Sequence, residues 1–130
     1  MANIKYLKFK EKLLKASIDF DSADLRFALV SSAYTPVNTH EFLSSVSGIL
    51  SRTAAAATGV TTTNGVLDCD DGIFLAVGAG TDGVYVVAFI HTGSDATASL
   101  VCSIDTADNL PVTPNGGNIP LVINAAGLLS

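Results

Sequence analysis

The residues most suggestive of chemistry form a glycine-rich stretch in the middle of the chain. Residues 78–83, Gly-Ala-Gly-Thr-Asp-Gly, have the G-x-G-x-x-G spacing of a dinucleotide-binding turn. Such a turn binds pyrophosphate where it opens a helix, because free N–H groups and the helix dipole hold the phosphates. Residues 84–90 are instead apolar and mostly β-branched or aromatic, a composition typical of a strand. We therefore predict a hairpin with strands at 73–77 and 84–91, and no cofactor.

The carboxylates and histidines predict no metal or catalytic site. Residues 68–72, Asp-Cys-Asp-Asp-Gly, lack the alternating ligands and the distal glutamate of a calcium loop, which favours a turn. His40-Glu41 lacks the second histidine of H-E-x-x-H, and the sequence contains no G-x-S-x-G. An acid–base or zinc site would have to use His40 or His91, with a cysteine brought in across the fold. We expect the protein not to be an enzyme.

Composition indicates a β-rich protein that contacts partners. Hydrophobic residues make up 48% of the chain and charged residues 15%, which is apolar for a free monomer and predicts self-association, as a dimer. Lysines interrupt the apolar stretches of residues 1–14, which predicts no signal peptide, and no run approaches the ~20 apolar residues of a membrane span. Synthesis in the cytoplasm then predicts that Cys69 and Cys102 are buried thiols rather than a disulfide.

Charge is distributed unevenly along the chain. All five lysines lie within residues 1–15, where they are opposed only by Glu11. The rest of the chain carries two basic residues, Arg26 and Arg52, and eleven of the twelve acidic residues. This balance disfavours nucleic-acid binding by the body of the domain. The five lysines are Lys5, Lys8, Lys10, Lys12 and Lys15.

Residues 3–15 have the pattern of an amphipathic helix. At about 100° per residue, four of the lysines fall within an arc of about 80° and the apolar side chains form two flanks on the opposite side. The lysine stripe is either a solvated face of a helix that covers the end of a sheet, or a docking surface for an acidic partner. The stripe consists of Lys5, Lys8, Lys12 and Lys15, one flank of Tyr6, Phe9 and Leu13, and the other of Leu7, Leu14 and Ile18.

The remaining chain is patterned as short strands separated by turns. Strands are predicted at 25–31, 100–104 and 119–123 besides the two named above, and Asn64-Gly65 predicts a type I′ hairpin turn. Thr39 is suited to cap a short second helix that ends at Gly48. Strands at this spacing are typical of an antiparallel sandwich or a barrel. We predict one domain, 1–130, with a helical arm at 1–18, an all-β sandwich at 25–124 and an apolar tail at 125–130.

Nine short motifs follow one another along most of the chain. They are Phe-Lys-Glu-x-Leu-Leu (9–14), Ile-Asp (18–19), Ala-Leu-Val (28–30), Tyr-Thr-Pro (34–36), Thr-His-Glu-Phe (39–42), Thr-Asn-Gly-Val-x-Asp-x-Asp-Asp (63–71), Thr-Gly (92–93), Ile-Asp-Thr (104–106) and Leu-Pro-Val-Thr-Pro-Asn-Gly-Gly (110–117). In this order the motifs resemble a family of small virion proteins from tailed bacteriophages. In size and β content the chain is similar to capsid cement, or decoration, proteins.

The resemblance implies a jelly-roll-like β-sandwich on the outer surface of the capsid. The expected partners are the major capsid protein and a second copy of the chain, with no specific nucleic acid and no membrane. Lys5, Lys8, Lys12 and Lys15 are expected to dock on an acidic capsid surface, and Leu128 and Leu129 to contact a neighbour. The alternative is a tail, neck or fibre component that binds a receptor or carbohydrate through loop residues such as Tyr34, His40 and Asp82.

Overall fold

The computed structural model describes residues 4–20, 22–105, 110–123 and 127–128, and within them the protein is mostly β, with one α-helix. The helix, α1, spans Leu7–Leu14. Seven strands are present in the described part of the chain. They are β1 Ile4–Lys5, β2 Leu25–Ser31, β3 Ile49–Arg52, β4 Gly72–Phe74, β5 Gly83–Ile90, β6 Ser99–Ile104 and β7 Ile119–Leu121. None of the described helices is long and apolar enough to cross a membrane.

Two antiparallel sheets organise these strands. Five strands pair in the order β1-β6-β5-β2-β3, and β4 pairs with β7 in a separate two-stranded sheet. The predicted strands at 25–31 and 100–104 are confirmed as β2 and β6. In β2 the side chains on both faces are buried, including Phe27 on one face and Ala28 on the other, and both edges of the strand are paired, with β5 and with β3.

The predicted hairpin around the glycine loop is wrong, although both of its strands exist. The first strand, β4, pairs with β7 through Ile73 and Pro120. The second, β5, pairs with β2 on one side and β6 on the other, so both of its edges are occupied. Residues 78–82 therefore connect the two sheets rather than two neighbouring strands. Apolar composition predicted β5 closely, but β4 ends at Phe74 rather than at residue 77. It contained no information about which edges the strands share.

The predicted type I′ turn is confirmed. Asn64 and Gly65 have φ angles of 55° and 78°, and the Val66 N–H donates to the Thr63 carbonyl oxygen at 3.1 Å. Thr61 and Asp68 exchange backbone hydrogen bonds beyond the turn. That pair is an isolated bridge, so the turn closes a loop instead of a long hairpin.

Both predicted helices begin later than their sequence patterns suggested. α1 starts at Leu7 rather than at residue 3, because Ile4 and Lys5 pair with β6 as an edge strand. The predicted second helix is reduced to a 3-10 turn at Leu43–Ser45, with no side-chain cap. Thr39 caps nothing there, since the backbone of residues 41–43 pairs with the start of β6, including the Leu43 N–H to the Ala98 oxygen at 2.9 Å.

One continuous core joins the helix and both sheets. Tyr6 and Phe9 from the N-terminal segment are buried in it with 0% and 2% of their surface exposed. Phe74 and Leu121 contribute from the two-stranded sheet and Phe89 from the centre of the large one. The segment predicted to be a helical arm thus supplies part of the core.

Candidate functional site

The lysines on the outer side of α1 are organised by a single carboxylate. Lys8 and Lys15 reach Glu11 at 3.0 and 2.9 Å, one on each carboxylate oxygen. The hydrogen bond from Lys15, together with that from Lys8, lowers the pKa of Glu11 to about 2, and the same contact raises the pKa of Lys8. All three side chains are well exposed, so the group is a solvated patch with a net charge of plus one. We call Lys8, Glu11 and Lys15 the basic patch.

Lys12 has a structural role that the stripe did not predict. Its Nζ donates to Ser99 Oγ at 2.7 Å, pairs with Glu41 at 3.1 Å and lies 4.6 Å from the centre of the Phe42 ring. These contacts tie α1 to β6 and to the segment before the 3-10 turn. Since its charge is already neutralised within the chain, Lys12 is poorly suited to dock on a partner.

Lys5 lies outside the helix altogether. It belongs to the edge strand β1, opposite Cys102, with its side chain exposed. The four lysines predicted to form one stripe therefore occupy three environments. Of the three lysines on this side of α1, Lys8 and Lys15 are well exposed, whereas Lys12 is engaged with Ser99, Glu41 and Phe42.

Leu7 and Leu14 of the second predicted flank face solvent, as does Leu13 of the first, whereas Ile18 is partly buried against the core. Leu7, Leu13 and Leu14 are 45%, 39% and 89% exposed, and the exposed Lys10 lies among them. At about 100° per residue these four side chains cover an arc of about 120°, centred about 130° away from the basic patch. We call Leu7, Lys10, Leu13 and Leu14 the leucine face. Tyr6 and Phe9 are the side chains of this segment that are buried in the core, whereas the three leucines remain exposed.

Leu128, predicted to contact a neighbour, packs on its own core instead. It is 2% exposed, and its N–H donates to the Leu67 carbonyl oxygen at 2.7 Å. The chain thus covers part of its own apolar surface with its C-terminal segment. Leu129 lies outside the described residues.

An apolar groove lies beside β3 and β4. It has a volume of about 240 Å³, with Phe27 and the alanines at 54–57 among its lining residues. Ile73 and Leu75 also line it and remain 44% and 55% exposed. Asp70 and Asp71 add two carboxylates to the lining. We call this the alanine groove.

The side chains of Tyr6, Tyr34 and His40 form a hydrogen-bonded chain, which we call the relay, between the residue before α1 and the loop after β2. The hydroxyls of Tyr6 and Tyr34 are 2.7 Å apart, and the Tyr34 hydroxyl is 2.9 Å from Nδ1 of His40. Burial, and next the bond to Tyr34, raises the pKa of Tyr6; burial also raises the pKa of Tyr34. With 2% of its surface exposed, Tyr34 is not the accessible loop residue that a receptor site would require.

The remaining reactive side chains also have structural partners. Burial raises the pKa of both Cys69 and Cys102 to about 12, so each thiol is protonated and a poor nucleophile at neutral pH. Both are free and buried, as predicted. Asp82 accepts a hydrogen bond from Thr113 at 2.7 Å, and Asp71 accepts one from the Ile123 N–H at 2.8 Å. No cluster of metal-ligating side chains occurs within the described residues.

A scan against protein-family models and a search of curated proteins found no match to this chain.

Sequence reasoning missed the alanine groove, and it identified Leu7 and Leu14 as an apolar flank without predicting that they would be exposed. Ile73 and Leu75 are two residues apart, so they share one side of an extended segment while Phe74 points to the core. Leu7 and Leu14 are seven apart, so they share one side of a helix. The alternation was visible in the sequence, but only the packing shows which side has no cover.

Proposed function

We propose that this protein is a structural component of a tailed-bacteriophage virion, a cement that bridges neighbouring major capsid subunits on the head. The motif order along the sequence favours this family. The observation that carries the proposal is that α1 exposes the basic patch on one side and the leucine face on another, while Tyr6 and Phe9 hold this segment to the core. An exposed, rigidly mounted surface of this kind suits contact with other proteins.

The finer fold assignment belongs to the same proposal. The two sheets share one core, which supports an antiparallel sandwich, and jelly-roll-like connectivity is what the resemblance implies. A small β-rich domain with side chains buried on both faces of its central strands is stiff enough to transmit load between subunits.

Lys8 and Lys15 are the side chains we assign to the capsid contact. Exposed ion pairs contribute only about 0.2–1 kcal/mol each and weaken with salt. A cement gains strength from repetition, because one copy that touches two subunits binds the second at a high effective concentration. Lys5 adds charge from the adjacent edge strand, whereas Lys12 is reserved for holding the helix in place.

The test is occupancy on purified particles over a range of salt concentrations. Lys8→Glu with Lys15→Glu is expected to lower occupancy and flatten its salt dependence, because repulsion replaces attraction. The matched control is Arg26→Glu with Arg52→Glu, which changes the net charge equally on the body of the domain. Equal occupancy for both pairs at all salt concentrations would contradict the assigned contact.

Copy number tests the proposed role itself. A cement protein occupies symmetry-related positions on the head, so its copy number is on the order of hundreds per particle. A neck, tail or fibre component is present in roughly a few dozen copies or fewer. Quantitative mass spectrometry of purified particles gives the ratio to the major capsid protein. A ratio typical of the tail would replace the cement assignment with the receptor- or carbohydrate-binding alternative.

A further inference from the structure

We propose that copies of this chain associate head to tail, with the leucine face of one copy seated in the alanine groove of the next. The inserted surface, the leucine face, is on α1, beside β6. The receiving surface, the alanine groove, lies beside β3. β3 and β1 are the two opposite edge strands of the large sheet. Each contact therefore joins two different surfaces.

A helix cannot fill the groove of its own chain. Tyr6 and Phe9 are 0% and 2% exposed and hold α1 against the sheet, and Lys12 bonds it to Ser99 of β6. Moving the helix to the groove would remove both aromatic side chains from the core. The leucine face is thus presented outward and is available only to another molecule.

The groove has the size and lining for leucine side chains. Its volume is about 240 Å³, and a cavity of about 150 Å³ admits a benzene molecule. The methyl side chains of the alanines at 54–57 leave the space open, and Ile73 and Leu75 extend the apolar surface beyond it. An amphipathic helix laid into an apolar groove is a common mode of recognition.

Charge also matches between the two surfaces. Lys10 is the one cation of the leucine face, and it makes no ion pair within the described part of the chain. Asp70 and Asp71 at the groove accept hydrogen bonds from Thr58 Oγ1 and the Ile123 N–H, and no described cation neutralises either carboxylate. Seating the helix brings Lys10 to these carboxylates, which favours the pairing and sets its orientation.

A single contact of this kind is weak, and the binding energies of many such contacts add up in an assembly of several copies. One eight-residue helix buries less than the ~1,000 Å² of a stable interface, so association depends on protein concentration. A contact between unlike surfaces forms a ring if the rotation closes and a chain if it does not. It differs from a two-fold dimer and does not depend on the proposed role in a virion.

Sedimentation velocity of the full chain, from about 1 μM to about 1 mM, tests the association. We expect the average mass to rise beyond that of a dimer. Leu14→Ser and Leu75→Ser should each weaken association by about tenfold or more, since each removes a large apolar contact. Leu14→Met, which keeps the apolar volume, should associate like the unchanged protein. A chain that stays monomeric at the highest concentration, or stops at a dimer, overturns the proposal.

Mixing the two defective variants distinguishes unlike from like surfaces. Leu14→Ser retains an intact groove and Leu75→Ser an intact helix, so an equimolar mixture can make one productive contact and should form a 1:1 heterodimer that grows no further. If the unchanged protein associates but the mixture stays monomeric, the same surface meets itself and the proposal fails.

A charge exchange tests the orientation. Lys10→Glu and Asp70→Lys should each weaken association, and the two changes in one chain should restore it. Asp82→Lys, a matched reversal on the loop before β5, should have no effect. Absence of restoration in the double variant, with both single variants folded by circular dichroism, overturns the assigned pairing.

Discussion

At the scale of single residues, buried hydroxyl groups link two distant segments of this protein. The Tyr6 hydroxyl lies 2.7 Å from that of Tyr34, which in turn contacts His40. A buried hydroxyl without a partner costs more than the bond itself contributes. The relay therefore fastens the residue before α1 to the loop after β2, and the sequence carried no sign of this pairing because 28 positions separate the two tyrosines.

Replacing Tyr34 with phenylalanine tests the relay. We expect Tyr34→Phe to lower the free energy of unfolding by about 1–3 kcal/mol, because the buried Tyr6 hydroxyl loses its close partner. Tyr85→Phe is the matched control, since the Tyr85 hydroxyl makes no hydrogen bond within the described residues and the change should cost less than about 0.5 kcal/mol. Urea denaturation of both variants measures the difference. Equal losses would show that the relay contributes nothing.

At the scale of elements, the three glycines of the G-x-G-x-x-G stretch differ in how strictly the fold requires them. A Cβ at Gly83 would lie 2.6 and 2.7 Å from Cδ1 and Cγ of Leu29 on the neighbouring strand, and Leu29 is fully buried. A Cβ at Gly78 or Gly80 would meet no atom within 4 Å. Only the last glycine of G-x-G-x-x-G is required, and the requirement is the close approach of β5 to β2.

Alanine substitutions at the two ends of the motif should therefore differ. Gly83→Ala is expected to destabilise the protein by about 1–3 kcal/mol, because Leu29 has no space into which it can move. Gly78→Ala should be neutral or stabilising by up to about 1 kcal/mol, since it restricts only the unfolded chain. Thermal unfolding followed by circular dichroism compares them. Similar midpoints for the two variants would exclude the steric role of Gly83.

At the scale of the whole molecule, the N-terminal segment contributes both to the core and to the exposed surface. It carries all the lysines, it is integrated in the core through Tyr6 and Phe9, and it exposes Leu14. The opposite edge of the large sheet carries the alanine groove with its acidic side chains. Two different parts of the surface thus combine exposed apolar side chains with charge, the leucine face with Lys10 and the alanine groove with Asp70 and Asp71.

Limited proteolysis tests whether the N-terminal segment is integral. Trypsin should cleave after Lys8, Lys10 and Lys12 only as fast as the native structure opens, although the side chains of Lys8 and Lys10 are exposed. Phe9→Ala should accelerate the cleavage about a hundredfold or more, because it removes a buried aromatic ring. Leu14→Ala, a truncation on the exposed side of the same helix, should leave the rate nearly unchanged. Mass spectrometry of timed digests identifies the fragments; rapid loss of residues 1–15 from an intact body would indicate a detachable arm instead.

The sequence by itself determined the local features of this protein. The alternation and β-branched content of β2 and β6 predict strands because side chains in a strand alternate between two faces. Asn64-Gly65 predicts the type I′ turn, since these residues tolerate positive φ at low cost. Each of these properties depends on residues within a few positions of one another.

Only the tertiary structure decided which apolar surfaces are covered and which strands pair. β4 and β5 are neighbours in sequence, yet they belong to different sheets. Leu14 and Leu128 are both apolar and near the chain ends, yet one is 89% exposed and the other 2%. Burial and strand pairing depend on contacts between segments far apart in the chain. A periodic pattern shows that a face is apolar, and the space available in the folded core determines whether that face is buried or left for a partner.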